Sequence, residues 1–167
     1  MRRILLAVVV IAGVVLLSIA VADACGDKSL RIGRGIRFQR PSHPTAVLIY
    51  LPSNATRAAQ LQSMLKRVGH KAYSAQDAGR LSEALTSGQY DLVFAEFAEA
   101  AKLARQIETS RSKPVLVPVI SSGTKAEVTA ARTQYRYVVK NPHNADNYLD
   151  AIDEAMRSRV HLLAKKS

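Results

Sequence analysis

The chain has 167 residues, 48% of them apolar and 22% charged, which suits one packed domain with extensions and excludes general disorder. Aromatics are 5% and Trp is absent, so the core is expected to be aliphatic. The net charge of +11 invites a nucleic-acid reading, but the excess gathers on either side of a nearly balanced middle, which disfavours a nucleic-acid partner.

Met1-Arg2-Arg3 precedes an uncharged run from Ile4 to Ala22. As a helix that run is about 28 Å long, near the hydrocarbon thickness of a bilayer. It has no polar face, so it cannot be a surface helix. Residues 1–24 are expected to be a signal peptide or an N-terminal membrane anchor. Ala22-Asp23-Ala24 meets the small-x-small rule for cleavage before Cys25. Lipoprotein processing would make Cys25 the lipid carrier, although Ala22 and Asp23 depart from a lipobox. Cys25 is the single cysteine, so an intramolecular disulfide is excluded. If the segment stays as an anchor, the basic residues after it favour a cytoplasmic domain. The cleavage pattern favours export to the periplasm or beyond, which is the leading expectation; a membrane-anchored cytoplasmic domain is the alternative.

Residues 25–44 read as a basic linker, punctuated by Gly26, Gly33, Gly35, Pro41 and Pro44. Lys28, Arg31, Arg34, Arg37 and Arg40 recur at every third position. In an extended chain this period lines charge along one side, a strip suited to anionic lipid. Ile32-Gly33-Arg34-Gly35 lacks the preceding strand and third glycine of a dinucleotide fingerprint, so no cofactor role follows.

From Thr45 the pattern changes to alternating strands and helices. Ala46 to Leu51 is a continuous apolar run, as in a strand buried on both faces. Pro52-Ser53-Asn54 ends it and caps a helix carrying Ala58, Leu61, Leu65 and Val68, which Gly69 stops. Lys71 to Ala75 predicts a second strand. Leu81, Ala84 and Leu85 mark a short helix closed by Gly88. Asp91 to Phe97 predicts the third strand, followed by a helix with Ala100, Leu103, Ala104 and Ile107. Val115 to Ile120 predicts the fourth strand, with Pro118 requiring a bend or a place near the sheet edge. Lys125 to Gln134 reads as a polar helix, and Tyr137-Val138-Val139 as the fifth strand. Tyr148, Leu149, Ile152, Ala155, Met156, Val160 and Leu163 form the stripe of a long last helix. The expected fold is α/β: a five-stranded parallel sheet, doubly wound, in the order 2-1-3-4-5, preceded by the N-terminal hydrophobic helix. The domain is expected to span residues 45–160, with a basic tail at 161–167.

The order and spacing of several local features resemble the response-regulator receiver domain. Leu61, Leu65 and Gly69 fit its first helix and turn, and Tyr90 to Glu96 is similar to the strand ending in the phosphoacceptor. Pro114-Val115-Leu116 resembles the start of its fourth strand, and Tyr137 to Lys140 its fifth strand with switch aromatic and lysine. The resemblance implies a site at the carboxyl ends of the strands. There a phosphoacceptor aspartate, an acid pair holding Mg²⁺, a hydroxyl and a lysine would be needed. In this chain the acid pair is missing, since no carboxylate lies between Thr45 and Gln76. Glu96 occupies the phosphoacceptor-equivalent position, and the hydroxyl position falls on Val119, with Ser121 and Ser122 beyond. Asn141 separates Lys140 from Pro142. No cofactor or metal is expected. Glu96 either pairs permanently with Lys140 or stands solvated at a strand end.

Tyr137 is either a partner-surface aromatic or half-buried packing, and packing is favoured. His43, His70, His143 and His161 show no metal spacing and read as surface residues. The leading expectation is a non-catalytic receiver-like interaction or regulatory module, not an enzyme and not phosphorylated, with an unknown protein partner. A membrane-anchored cytoplasmic signalling domain is the first alternative, and a small-molecule binder at the strand crest the second.

Overall fold

A computed structural model describes residues 44–121, 123–140 and 142–164, with the backbone alone for 160–164. The strands are β1 (Ala46–Tyr50), β2 (Lys71–Ser74), β3 (Leu92–Glu96), β4 (Val115–Ile120) and β5 (Val139–Lys140). The helices are α1 (Ala55–Arg67), α2 (Ala78–Ser87), α3 (Phe97–Thr109), α4 (Lys125–Gln134) and α5 (Ala145–Ala164). The strands form one parallel sheet in the order β2-β1-β3-β4-β5, the expected flavodoxin-like arrangement.

Successive residues of the apolar run in β1 feed two different cores, because strand side chains alternate between faces. Val47 and Ile49 join Leu61, Leu65, Phe94, Tyr148 and Ile152 under α1 and α5. Leu48 and Tyr50 join Leu81, Leu85, Val93 and Leu103 under α2 and α3. This is why an unbroken apolar segment is required where helices cover both faces. In α4 the buried residue is Ala131, in keeping with its polar sequence.

The helix starts are fixed by side chains. Asn54 Oδ1 accepts from Arg57 N at 2.9 Å, and Asp77 Oδ1 accepts from Arg80 N at 2.8 Å. Thr124 and Glu127 form a reciprocal capping box at α4. Gly69 ends the first helix region at φ 101°, a conformation that a Cβ disfavours.

One expectation needs correction, and the one for Pro118, a place near the sheet edge, is met. The fifth strand starts at Val139, because β4 pairs with it only through Val119 and Ile120; Tyr137 and Val138 precede it. Pro118 is buried within β4 opposite Ala95. Val115 N–H donates to Asp91 O, so alternation turns the Pro118 nitrogen toward β5, whose pairing begins only at Val119. The missing donor therefore falls at the open end of a two-residue edge strand. The expected N-terminal helix, Cys25 and the basic linker up to residue 43 lie outside the described residues, as do residues 165–167 of the expected tail, whose residues 161–164 continue α5 instead. Among the described residues no helix is long and apolar enough to cross a membrane.

Candidate functional site

Parallel strands bring their carboxyl ends to one crest. Tyr50 pairs with Ala95, so the turn after β1 lies beside the end of β3. Asn54 N–H closes that turn by donating to Leu51 O at 3.0 Å. Ser53 is thereby presented to Glu96, the last residue of β3. Ser53 N donates to Glu96 Oε1 at 2.9 Å, and Ser53 Oγ donates to Oε2 at 2.6 Å. The second distance is that of a charge-assisted O–H···O⁻ bond. Glu96 also stands at the cap position of α3, yet its side chain makes no capping bond there. Both carboxylate oxygens are turned to the β1 loop.

Lys140 does not share in this contact. Among the described residues the ion pairs within 4 Å are Asp77–Arg80 and Asp91–Arg159. Two strand spacings, about 10 Å, separate the backbones of β3 and β5, whereas Ser53 is on the adjacent strand's loop. Of the two readings of Glu96, a pair with Lys140 or a solvated carboxylate, neither describes it: the carboxylate is bonded to Ser53. The Lys140 carbonyl accepts from Asn147 Nδ2 at 2.8 Å, tying β5 to the first turn of α5.

A second contact crosses the crest. Arg57 Nη2 lies 3.1 Å from His143 Nδ1 and 3.4 Å from Nε2. A guanidinium only donates, so the His143 ring is the acceptor in this contact. Tyr50 lies under the other side of the crest. Burial raises its pKa, helped by the charges of Glu99, Asp77 and Glu96. Among the described residues no group of three His, Cys, Asp or Glu side chains is placed to hold a metal ion. At the hydroxyl position, Val119 is buried and Ser121 is exposed.

Tyr137 lies in the core cluster, only 7% exposed, and its hydroxyl is buried with no hydrogen-bond partner among the described residues. The Arg136 guanidinium stands 5.5 Å from its ring centroid. So little of the ring is open that it offers a partner almost no area. His70 is not a surface residue: it is 6% exposed, and its Nδ1 accepts from Thr45 N at 3.2 Å. Burial lowers its pKa, opposed by Asp153. The Ser53 contact went unread in the sequence, although Ser53 stands where an acid pair was sought and the 2-1-3 order makes β1 and β3 neighbours.

No family model and no curated protein sequence matches the chain. Solved structures do. A chain carrying the yeast Spc42 trimeric coiled coil as a fusion superposes with a TM-score of 0.61 at 15% identity, covering 72% of this chain and 85% of that one. A CheY-like response-regulator receiver domain from Methanospirillum hungatei JF-1 gives 0.58 at 11% identity, covering 70% and 98%. A Burkholderia pseudomallei response regulator, solved with a phosphorylated aspartic acid, calcium ion and citrate, gives 0.53 at 12% identity, covering 73% and 75%. The chain has the fold of receiver domains. At these identities the likeness concerns the fold alone.

Proposed function

We propose that the chain is a regulatory or signalling module built on the receiver fold that binds a protein partner without being phosphorylated. The observation that carries this reading is the two-bond contact of Ser53 with Glu96. Phosphoryl transfer to a carboxylate needs a free oxygen nucleophile and a divalent cation held by further carboxylates. Here both oxygens of the crest glutamate accept hydrogen bonds, and the adjacent loop supplies Pro52 and Ser53 in place of acids. A constant contact replaces a switched one.

The N-terminal sequence supports placing this module at a membrane or beyond it, with the linker cations Lys28 to Arg40 toward anionic lipid. An alkaline-phosphatase fusion to the domain separates export from a cytoplasmic anchor: activity means outside, and silence with good expression means inside. The non-phosphorylated reading is tested by incubating the protein with acetyl phosphate and Mg²⁺ and measuring intact mass. No acid-stable or hydroxylamine-labile phosphate is expected. Stoichiometric phosphorylation at Glu96 would sink it.

A further inference from the structure

The end of the domain opposite the crest carries its own pattern. In a right-handed βα unit the helix runs back against its strands, so the carboxyl ends of the helices and the starts of the strands share one base. The sheet register sets their level: Lys71 pairs with Ala46, Val47 with Leu92, and Leu92 with Val115. With neighbouring strands near 4.8 Å, the starts of β2 and β4 lie about 15 Å apart along one edge.

That edge is basic. Lys66 and Arg67 close α1, Lys71 opens β2, Arg111 and Lys113 occupy the loop before β4, and Arg136 the loop before β5. All are exposed. Among the described residues none of them enters an ion pair. Of the acids at this end, Asp91 is held internally: it accepts from Ala46 N at 3.0 Å and pairs with Arg159 at 3.2 Å. Glu108 on the last turn of α3 and Asp153 beside His70 remain. The crest carries Asp77 and Glu96 together with the cations Arg57, Lys125 and Lys140. Helix dipoles favour cations at carboxyl-terminal turns, which accounts for Lys66 and Arg67. Lys71, Arg111 and Lys113 lie outside helices and need another reason. Thr45 also enters β1 at this base.

We propose that this base of the folded domain docks on an anionic phospholipid surface. The inference rests on the membrane reading above and extends it from the linker to the domain. Attraction to an anionic leaflet is summed over cations lying within about a Debye length of it, near 8 Å at physiological salt. A row of cations along the loop ends of one sheet edge meets that requirement. Sequence-specific reading of duplex DNA asks instead for a helix or ribbon that enters a groove, and this base presents only loops and helix ends; contact with phosphates alone is separated from lipid by the test below.

The test uses the full chain in vesicles of phosphatidylcholine alone and in vesicles of two parts phosphatidylcholine to one part phosphatidylglycerol. Amide hydrogen exchange is read at 68–71 and 110–113 on the base, and at 51–54 on the crest. Exchange at the base is expected to slow about threefold or more in the anionic vesicles, to recover at high salt, and to be unchanged on the crest. The charge reversals K71E and K113E together should remove the effect, with circular dichroism confirming the fold; the lipid and salt comparisons stand without them. Equal exchange in both vesicle types overturns the proposal, as does protection on the crest instead. Protection of the base by soluble duplex DNA but not by phosphatidylglycerol also overturns it, in favour of another polyanion. A chain that floats with neither vesicle type defeats the membrane reading itself. A chain that floats with both but shows no lipid-dependent base protection defeats only this extension.

Discussion

Ser53→Ala removes one of the two hydrogen bonds to Glu96 and spares the other, because the 2.9 Å bond comes from the backbone N–H and the 2.6 Å bond from the hydroxyl. A hydrogen bond to a charged group contributes about 1.5–3 kcal/mol when shielded; here Ser53 is exposed and Glu96 half-buried, so about 1 kcal/mol is expected. Glu96→Ala removes both bonds. In that background Ser53→Ala has nothing left to break and costs nearly nothing. A double-mutant cycle by urea denaturation should therefore give a coupling of about 1 kcal/mol between positions 53 and 96. The parallel cycle between Glu96→Ala and Lys140→Ala should be additive within about 0.3 kcal/mol. Additivity at 53 and 96, or a coupling near 1 kcal/mol at 96 and 140, would refute the assignment of Glu96 to the β1 loop.

The His70 ring must be neutral to accept from Thr45 N–H, and burial lowers its pKa. As pH falls below about 6.5 the unfolded ring takes a proton that the folded ring resists, so stability should fall by up to about 1.4 kcal/mol per pH unit; urea melts of the protein and of His70→Gln should differ in this slope. Tyr148 is 2% exposed, its hydroxyl has no partner among the described residues, burial pushes its pKa up to about 12, and it packs edge-on to Phe94 with centroids 5.1 Å apart. Tyr148→Phe keeps the ring contact and should stabilise by about 1 kcal/mol, raising the melting temperature; a loss of stability would mean the hydroxyl is satisfied. Gly69→Ala, at φ 101°, should destabilise by about 1–2 kcal/mol in thermal melts.

The strand and helix order was legible because each βα unit carries its own punctuation. The β1 run, the Asn54 cap and the Gly69 stop are local signals, and each marks the boundary it was read to mark. The fifth strand was misplaced by two residues, since Tyr137 and Val138 are as β-favouring as Val139; the distinction comes from the extent of β4 available for pairing, a tertiary fact. His70 looked like a loop histidine because its partner, the Thr45 N–H, is distant in sequence. At the crest, the lack of any carboxylate between residues 45 and 76 is a plain fact of the sequence. The partner of Glu96 could not be ranked in the same way, because Lys140 is favoured by charge while Ser53 is favoured by adjacency. Within an exposed rim, proximity on the neighbouring strand decides.

The central claim is that the crest is set by a constant Ser53–Glu96 contact and does not respond to a phosphoryl group. Titrating the protein with beryllofluoride and Mg²⁺ while following amide NMR shifts tests it most directly. The account predicts that the amides of Ser53, Glu96 and Lys140 move no more than amides on the far base of the domain. Saturable shifts confined to those three positions would contradict it.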